Sequence, residues 1–265
     1  MGGPHHNFLA AAAAWDMTMT QATNTPARPQ LPAYTLTVVE SFDTEPNMRR
    51  VRLRLPTHSA FKYLPGQAIV MMIPTGNGEF GRRDYTIRSM DRQAGTIAVD
   101  ILKHGETPGP RWALSARPGD TIEIRGPRGR TVFQPDADWH LFTGDETCIP
   151  AIAHILETAP AGARAFVFIE VAGPSGEIAL PSAADVQIRW VHRGAQEPGP
   201  SELMADAVAG FTLPAGRGQA YIIGETSNVR RQRRDLIARG LTREQILSEG
   251  YWRPGRIGGH DHVDD

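Results

Sequence analysis

Arg83, Tyr85 and Thr86 stand close together in the segment Arg83-Asp84-Tyr85-Thr86-Ile87-Arg88, which has the look of a β-strand. Side chains alternate between the faces of a strand, so Arg83 and Tyr85 share one face, and Thr86 can offer its hydroxyl or its backbone. A flavin dinucleotide requires such a set: a cation for its pyrophosphate, a flat aromatic ring, and a hydrogen-bonding group near its reactive N5 atom. On these residues alone, a packed tyrosine beside an exposed arginine explains the segment equally well.

The composition of the chain narrows the classes of function. Of its 265 residues, 40% are hydrophobic and 22% are charged, which is typical of a globular protein. The formal net charge is −1, so the chain offers no overall field for nucleic acid or an anionic membrane, and we expect neither as a partner. No apolar run approaches the roughly 18–20 residues that span a bilayer. We expect a monomer.

Cys148 is the only cysteine of the chain. A single thiol cannot form an internal disulfide, which favours a reducing compartment, and we expect a cytoplasmic location. It cannot hold an iron–sulfur cluster alone, and the histidines near the C-terminus lack the rest of a metal site, so we expect no bound metal. Cys148 is either a reactive group beside a ligand or a small buried residue, and free cysteine is usually the latter.

The first half of the chain has the pattern of a small β-barrel. Val51 and Leu53 alternate with Arg52 and Arg54, as in an antiparallel strand with one buried face. Strands are predicted at residues 34–39, 48–55, 68–73, 85–88, 96–102 and 121–125. Six short strands with Pro and Gly between them favour a closed barrel, which we place at residues 33–135.

After Pro135, short apolar strands alternate with helices. Strands are predicted at residues 139–143, 165–171, 186–190 and 219–224, and helices at about 149–158, 201–209 and 227–239. This alternation predicts a parallel sheet over residues 136–257, with ligands at the carboxyl ends of its strands. The predicted fold class is β + α/β, a six-stranded antiparallel barrel followed by a parallel-sheet α/β domain. We expect residues 1–32 to be a disordered extension and residues 258–265 a flexible tail.

Short motifs recur in order along both halves of the chain. They are Arg83-Asp84-Tyr85-Thr86-Ile87-Arg88, Val99-Asp100-Ile101-Leu102-Lys103-His104-Gly105, Gly109-Pro110, Trp112-Ala113, Pro118-Gly119-Asp120, Gly126-Pro127-Arg128-Gly129, Gly144-Asp145-Glu146-Thr147-Cys148-Ile149-Pro150-Ala151-Ile152, Glu170-Val171, Trp190, Arg193, Glu225 and Gly250-Tyr251-Trp252-Arg253-Pro254-Gly255. In order and spacing they resemble the siderophore-interacting protein family, flavin-dependent reductases related in fold to ferredoxin–NADP reductases. The resemblance runs from about Tyr34 to Gly255.

The resemblance implies an FAD-binding barrel followed by a nicotinamide-binding domain. Arg83, Tyr85 and Thr86 would hold the flavin, with Tyr85 and Thr86 in the catalytic position, and Asp100 and His104 would lie at the same pocket. The segment 105–113 would give backbone N–H groups to the pyrophosphate at the start of a short helix. This segment is shorter than the family pattern, and Pro110 has no N–H. The remaining donors are Gly109, Arg111, Trp112 and Ala113, and Arg111 could add charge.

Gly144, Asp145, Glu146 and Thr147 follow the first strand of the predicted sheet. A glycine there would let a dinucleotide approach the backbone, and the resemblance puts the acidic pair beside the flavin–nicotinamide junction. The alternative is a strand-to-helix turn in which Asp145 or Thr147 caps the helix. The segment is not the Gly-x-Gly-x-x-Gly fingerprint of an ordinary Rossmann dehydrogenase.

Several arginines near the later strands are candidates for binding a phosphate of the nucleotide. Arg193 follows the strand that ends at Trp190, where a cation could meet the 2′-phosphate of NADPH, and Glu225 belongs to the same resemblance. Arg230, Arg231, Arg233 and Arg234 lie on one predicted helix. A solvated helix face explains this run, although Arg230 or Arg231 could also approach a nucleotide phosphate. The sequence leaves NADPH and NADH both open.

The resemblance implies hydride transfer from NADPH or NADH to FAD, followed by reduction of a ferric siderophore and release of iron(II). Ferric siderophores are often anionic, so cations near the flavin are expected. The candidates are Lys62, Lys103, Arg111 and Arg253, and each is also explained as a lone surface cation. Tyr251 and Trp252 would pack over the domain junction or in a core. Two alternatives stay open: a flavin reductase that serves a protein partner, and a non-catalytic module that binds the chelate or the flavin.

Overall fold

Six antiparallel strands in the first half of the chain close into a barrel. They are β1 (Ala33–Thr44), β2 (Met48–Arg54), β3 (Ala68–Gly76), β4 (Glu79–Asp91), β5 (Thr96–Leu102) and β6 (Thr121–Arg128), in the order β1-β2-β5-β4-β3-β6. The alternation predicted for β2 is confirmed, because Val51 and Leu53 are fully buried and Arg54 is exposed. The predicted six-stranded barrel is therefore confirmed.

The computed structural model describes Met1 and residues 30–44, 47–56, 61–76, 78–259 and 261–263. The extension expected over residues 1–32 therefore lies almost wholly outside the described residues. None of the helices formed by the described residues is long and apolar enough to cross a membrane.

β4 is longer than the predicted strand at residues 85–88. It begins at Glu79 because its first half pairs with β3, with Arg83 opposite Met71 and Thr86 opposite Ala68. Residues 79–84 lack apolar alternation, so this pairing could not be predicted from the local pattern. One short helix, α1 (Pro108–Ser115), follows β5 and buries Gly109 and Ala113 against the barrel.

The second half of the chain forms a sheet covered on both faces. Five parallel strands, β7 (Trp139–Asp145), β8 (Arg164–Val171), β9 (Asp185–His192), β10 (Gly218–Glu225) and β11 (Ile246–Trp252), and a short antiparallel strand, β12 (Asp261–His262), lie in the order β12-β11-β10-β7-β8-β9. The helices are α2 (Ile149–Thr158), α3 (Leu203–Ala209) and α4 (Thr226–Ala238). Alternate strand residues supply two cores: Phe142 and Val167 pack with α2, and Leu141 and Phe168 pack with α3 and α4.

The end of the chain differs from the prediction. β11 was not predicted, because Ser248, Glu249 and Gly250 interrupt its apolar residues. β12 pairs with β11 and Val263 is buried, so the expectation of a flexible tail over residues 258–265 is wrong at Asp261–Val263. The predicted α/β sheet with helical crossovers is confirmed, and with it the fold class.

Candidate functional site

A cleft lies between the barrel and the parallel sheet, which together belong to one compact unit, Leu31–Asp265. Arg83, Tyr85 and Thr86 of β4 line its barrel side, and Tyr251 and Trp252 of β11 line its sheet side. The predicted site residues that line this cleft are Arg83, Tyr85, Thr86, Asp100, His104 and Thr147. The structure thus brings together the motif of the barrel and part of the motif that follows β7.

Contacts between α2 and β4 fix the two walls of the cleft. The guanidinium of Arg88 donates to both carboxylate oxygens of Glu157, at 2.8 and 2.6 Å. His154 lies with its Nδ1 2.6 Å from the carbonyl oxygen of Ile87, and burial lowers the pKa of this imidazole. Because Ile87 and Arg88 directly follow Thr86, these contacts set the position of Thr86 relative to the sheet.

Arg83 points its guanidinium along the rim of the cleft. Its Nη1 donates to the carbonyl of Arg82 at 2.8 Å, and a Cβ at Gly258 would collide with it. A second cation, Arg128 of β6, lies 3.2 Å from the carboxylate of Asp84 and also lines the cleft. Two guanidinium groups therefore line one cleft, and such a pair is suited to binding a pyrophosphate.

Tyr85 packs its ring against the core of the barrel, and its hydroxyl rests on α1. A Cβ on Gly109 would overlap the Tyr85 oxygen, so only glycine fits at this point of α1. Burial raises the pKa of Tyr85 to about 12, which keeps the hydroxyl protonated at neutral pH. The tyrosine is thus a fixed ring with a hydroxyl that can donate a hydrogen bond.

Thr86 is buried and faces Tyr251 across the cleft. Burial, and after it the charge of Glu249, raise the pKa of Tyr251, while a hydrogen bond with Thr86 lowers it. Two neutral hydroxyl groups, one from each wall, therefore meet at the centre of the cleft. Tyr251 had two open interpretations, and the structure supports both, since its ring packs against a core of the sheet and also lines the cleft.

The first turn of α1 offers fewer backbone donors than the sequence suggested. The N–H of Arg111 donates to the carbonyl of Thr107 at 3.2 Å. Trp112 and Ala113 lie within the helix, so their N–H groups point back to carbonyls four residues earlier. Pro108 and Pro110 have no N–H. Gly109 is the remaining donor, and the expected roles of Arg111, Trp112 and Ala113 as amide donors are wrong.

Asp100 and His104 both line the cleft, but they differ in their contacts. The carboxylate of Asp100 accepts two hydrogen bonds from Arg50, at 2.6 and 2.7 Å, and lies 3.8 Å from Arg88. This carboxylate is thus held by Arg50 while it lines the cleft, and its expected role as a cofactor ligand stays a prediction. His104 lines the cleft, and burial lowers the pKa of its imidazole.

Asp145 ties three strand ends together. It accepts hydrogen bonds from the backbone N–H of Thr147 at 2.9 Å, from that of Glu225 at 3.1 Å, and from the indole of Trp252 at 2.8 Å. A Cβ on Gly144 would lie 2.6 Å from that of Cys148, so glycine is required here for packing. Asp145 thus caps the turn that follows β7, and because capping is compatible with ligand binding, the expected cofactor contact of this segment stays a prediction.

Arg193 lies in a cluster of carboxylates rather than at an open phosphate site. Its Nη1 is 2.7 Å from Glu146 and 3.9 Å from Glu170, and only 9% of its side chain is exposed. Burial, and after it the charge of Asp145, raise the pKa of Glu170 to about 7. The nearby carboxylates thus hold the charge of Arg193, and its expected contact with a ribose phosphate stays a prediction.

Glu225 and Cys148 are buried structural residues. The carboxylate of Glu225 accepts the N–H groups of Ser227 and Asn228, both at 2.9 Å, and so caps the N-terminus of α4. Its other carboxylate oxygen, Oε1, is buried without a hydrogen-bond partner among the described residues, and the expected role of Glu225 in cofactor binding stays a prediction. Cys148 is fully buried, and burial raises the pKa of its thiol, which favours the buried interpretation over a reactive one.

The four cations expected to meet the siderophore lie outside the lining of the cleft. Lys103 is 3.0 Å from Asp43, Arg111 is 3.8 Å from Glu106, and Arg253 is 3.8 Å from Asp261. Lys62 is exposed. The cations that line the cleft are Arg83, Arg128 and Arg256. Sequence reasoning missed Arg128 and Arg256 in this role, although Arg128 stands in a quoted motif.

Comparison with known proteins agrees with this arrangement. Residues 49–131 match the model of the siderophore-interacting FAD-binding domain, and residues 137–255 match that of the siderophore-interacting protein. A siderophore utilization protein from T. fusca, solved by crystallography, is 31% identical, with a TM-score of 0.78 over 88% of this chain and 97% of that one. The chain belongs to the siderophore-interacting protein family. The resemblance noted in the sequence is thus confirmed.

Two further proteins resemble this chain, one in sequence and one in fold. The ferric vibriobactin reductase ViuB of Vibrio cholerae is 32% identical over 178 residues, which are 66% of this chain and 65% of that protein. A ferredoxin reductase in carbazole 1,9a-dioxygenase shares the fold, with a TM-score of 0.66 at 18% identity over 86% of this chain and 71% of that one. The fold is therefore that of ferredoxin-reductase-like oxidoreductases, and the FAD-binding domain model covers most of the barrel.

The residues of the cleft fit an FAD. Arg83 and Arg128 supply charge for a pyrophosphate, Tyr85 supplies a fixed ring, and the Thr86 hydroxyl lies between the two walls. Gly109 keeps α1 close to Tyr85 because a side chain there would fill that space. Among the described residues, no group of three or more His, Cys, Asp or Glu side chains is arranged to hold a metal ion.

Proposed function

We propose that this family member is an NAD(P)H-dependent, FAD-containing ferric-siderophore reductase that releases iron as iron(II). The observation that carries the proposal is the meeting of Arg83, Tyr85 and Thr86 of the barrel with Tyr251 of the sheet in one cleft. The name of ViuB, a ferric vibriobactin reductase, supports the substrate class. The fold supports a nicotinamide cofactor. In this proposal the FAD-binding domain is residues 33–135 and the nicotinamide-binding domain is residues 136–257. A monomer in the cytoplasm is part of the same proposal, and the single cysteine supports a reducing compartment.

The proposal follows from the electron count. NADPH or NADH gives two electrons as a hydride and iron(III) accepts one, and bound FAD supplies the conversion between the two. Hard oxygen donors of siderophores hold iron(III) much more tightly than iron(II), so reduction frees the metal. The protein has to bring the chelate near the flavin without binding iron itself.

The residues of the cleft have distinct parts in this proposal. Arg83 and Arg128 hold the pyrophosphate, and Tyr85 fixes the position of α1 and donates from its protonated hydroxyl. Thr86 and Tyr251 hold protons at the edge where the two walls meet, because both hydroxyl groups stay neutral. Arg256 lines the cleft in an ion pair with Asp261, and its part is to meet an anionic chelate.

A visible spectrum under anaerobic conditions tests the proposal. We expect the purified, FAD-loaded protein to lose its flavin absorbance on addition of NADPH or NADH and to regain it on addition of a ferric siderophore. Bleaching without reoxidation would move the acceptor to a protein partner, the alternative that the likeness in fold to a ferredoxin reductase favours. Failure of both coenzymes to bleach the flavin would leave a binding module without turnover.

A further inference from the structure

α4 has two faces of different chemistry. Val229, Arg233 and Leu236 are buried against the sheet. Ser227, Arg230, Arg231 and Arg234 follow one another at helical spacing on the opposite face, and Arg230 and Arg234 are exposed. Like charges four residues apart destabilise a helix, so this row of arginines lowers stability unless an anion lies beside it.

This face forms one wall of an open hollow of about 500 Å³, here called the α4 hollow. The other wall is the segment Pro200-Ser201-Glu202, which precedes α3. Asn228 holds this segment in place, since its Oδ1 accepts the N–H of Ser201 at 2.9 Å and its Nδ2 donates to the carbonyl of Gly199 at 3.1 Å. The hydroxyl groups of Ser201 and Ser227 thus stand beside three guanidinium groups.

The charge in the α4 hollow is positive. Glu202 is the one acidic residue among the described residues that line it, and it forms an ion pair with Arg231. Arg230 and Arg234 form no ion pair with any described residue. Two guanidinium groups therefore remain for an anionic ligand, and Arg231 becomes a third if Glu202 gives way.

The α4 hollow lies at the edge of the sheet where nucleotides bind. α4 begins directly after β10, and the segment 200–202 follows β9, so both walls start from carboxyl ends of parallel strands. Ser201 also contacts Glu170, near the end of β8, and lowers the pKa of that carboxyl against the stronger effect of burial. Ser201 thus links the wall of the hollow to the end of β8.

Two other groups at this edge are already engaged. Glu225 accepts the first N–H groups of α4, and Arg193 is held by Glu146. An additional phosphate on a nucleotide therefore has to be bound by side chains of α4. We propose that the α4 hollow binds the 2′-phosphate on the adenosine ribose of NADPH and makes the protein select NADPH over NADH. This inference rests on the proposed function.

The residues of the hollow have separate roles in this selection. Arg230 and Arg234 supply the positive charge, and Ser227, which is exposed, supplies a hydroxyl donor. Glu202 weakens the site because it occupies Arg231. NADH lacks the phosphate and gains nothing from these groups.

Calorimetry without turnover tests the site directly. Adenosine 2′,5′-bisphosphate and adenosine 5′-monophosphate are titrated separately into the FAD-loaded protein. We expect the bisphosphate to bind about tenfold or more tightly, with a preference that shrinks as salt rises. The double variant Arg230→Ser/Arg234→Ser should lose most of this preference and keep its affinity for the monophosphate. Arg92→Ser, at an exposed arginine beyond β4, is the matched control and should behave as the wild type.

The variant Glu202→Gln should change the affinity for the bisphosphate in the opposite direction. It frees Arg231 and should bind the bisphosphate more tightly than the wild type does, a gain that a merely solvated helix face would not show. The KM for NADPH should rise about tenfold in the double variant while the KM for NADH stays constant. Equal affinity of the wild type for the two nucleotides, or full preference in the double variant, would overturn the assignment.

The experiment separates this inference from the proposed function. If both coenzymes bleach the flavin with equal KM and the bisphosphate shows no preference, the reductase stands and the α4 hollow has no such role. If the bisphosphate preference is present and depends on Arg230 and Arg234 while neither coenzyme bleaches the flavin, the phosphate site stands and the reductase falls.

Discussion

The hydroxyl of Tyr85 occupies the space in which a Cβ of residue 109 would stand. Tyr85 belongs to β4 and Gly109 to the first turn of α1, so their contact holds the helix against the strand that carries the flavin motif. The requirement for glycine comes from packing, not from a left-handed backbone. The contact also fixes the remaining free N–H of that turn beside the tyrosine.

Gly109→Ala should weaken FAD binding. The added methyl group overlaps the Tyr85 oxygen, and overpacking of this kind costs roughly 1–3 kcal/mol, so the Kd for FAD should rise by about tenfold. Fluorescence titration of flavin-free protein measures this Kd. Leu114→Ala, at an exposed side chain of the same helix, is the control and should match the wild type. Wild-type FAD affinity in Gly109→Ala would contradict the contact.

Arg83→Ala should strip FAD from the purified protein. A guanidinium that binds phosphate through charged hydrogen bonds contributes about 1.5–3 kcal/mol per bond, enough to lower affinity by one to two orders of magnitude. The ratio of flavin to protein absorbance after gel filtration reports the loss. Arg82→Ala changes the exposed neighbour on the same strand and should keep its flavin. Full retention of flavin in Arg83→Ala would remove Arg83 from the pyrophosphate site.

Arg50→Met should lower stability without removing FAD. It leaves the buried carboxylate of Asp100 without its two hydrogen bonds, at a cost of about 2–4 kcal/mol in the free energy of unfolding. Urea denaturation measures this change. Arg52→Met, whose partner Glu40 is half exposed, should cost less than about 1 kcal/mol. A folded Arg50→Met protein that has lost its flavin would restore Asp100 as a cofactor ligand.

Glu170 should make stability depend on pH. Its pKa is about 7 in the folded protein against an ordinary value of 4.5, so the folded state binds the proton more tightly. The resulting stabilisation is full below about pH 4.5 and is lost as pH rises through 7. The free energy of unfolding of wild type minus that of Glu170→Gln should therefore fall by roughly 1–3 kcal/mol between pH 5 and 8. Glu197→Gln, at an exposed carboxylate, should show a constant difference, and a flat profile for Glu170→Gln would refute the shift.

The sequence predicted most of the fold because local patterns dominate it. Val51 and Leu53 alternate with arginines in β2, and the apolar runs of β7 and β8 alternate with helices. β11 was not predicted because Ser248 and Glu249 are polar residues that are nevertheless buried. The cost of removing them from water is offset by contacts with residues distant in sequence. Ser248, for example, donates to the carbonyl of Val263 at 2.6 Å. A pattern within a short stretch of sequence cannot reveal hydrogen-bond partners that are distant along the chain.

The sequence predicted several of the residues that line the cleft, but it did not predict which other residues of the chain bind their charges. Arg83, Tyr85 and Thr86 line the cleft as expected because they are close neighbours on β4, where alternation puts Arg83 and Tyr85 on one face. The partners of Asp100 and Arg193 could not be predicted, because Arg50 and Glu146, which bind their charges, lie about fifty positions away along the chain. A charged residue in a motif thus identifies a region, and only the folded chain shows which charges remain for a ligand.

Anaerobic single-turnover reduction decides whether the cleft serves a ferric reductase. The FAD-loaded protein is reduced with one equivalent of NADPH, mixed with an excess of ferric hydroxamate siderophore, and followed at the flavin band with an iron(II) chelator present. Because each reduced FAD carries two electrons, we predict full return of the flavin band and about two iron(II) per FAD. A flavin that stays reduced with no iron(II) formed would contradict the proposed function.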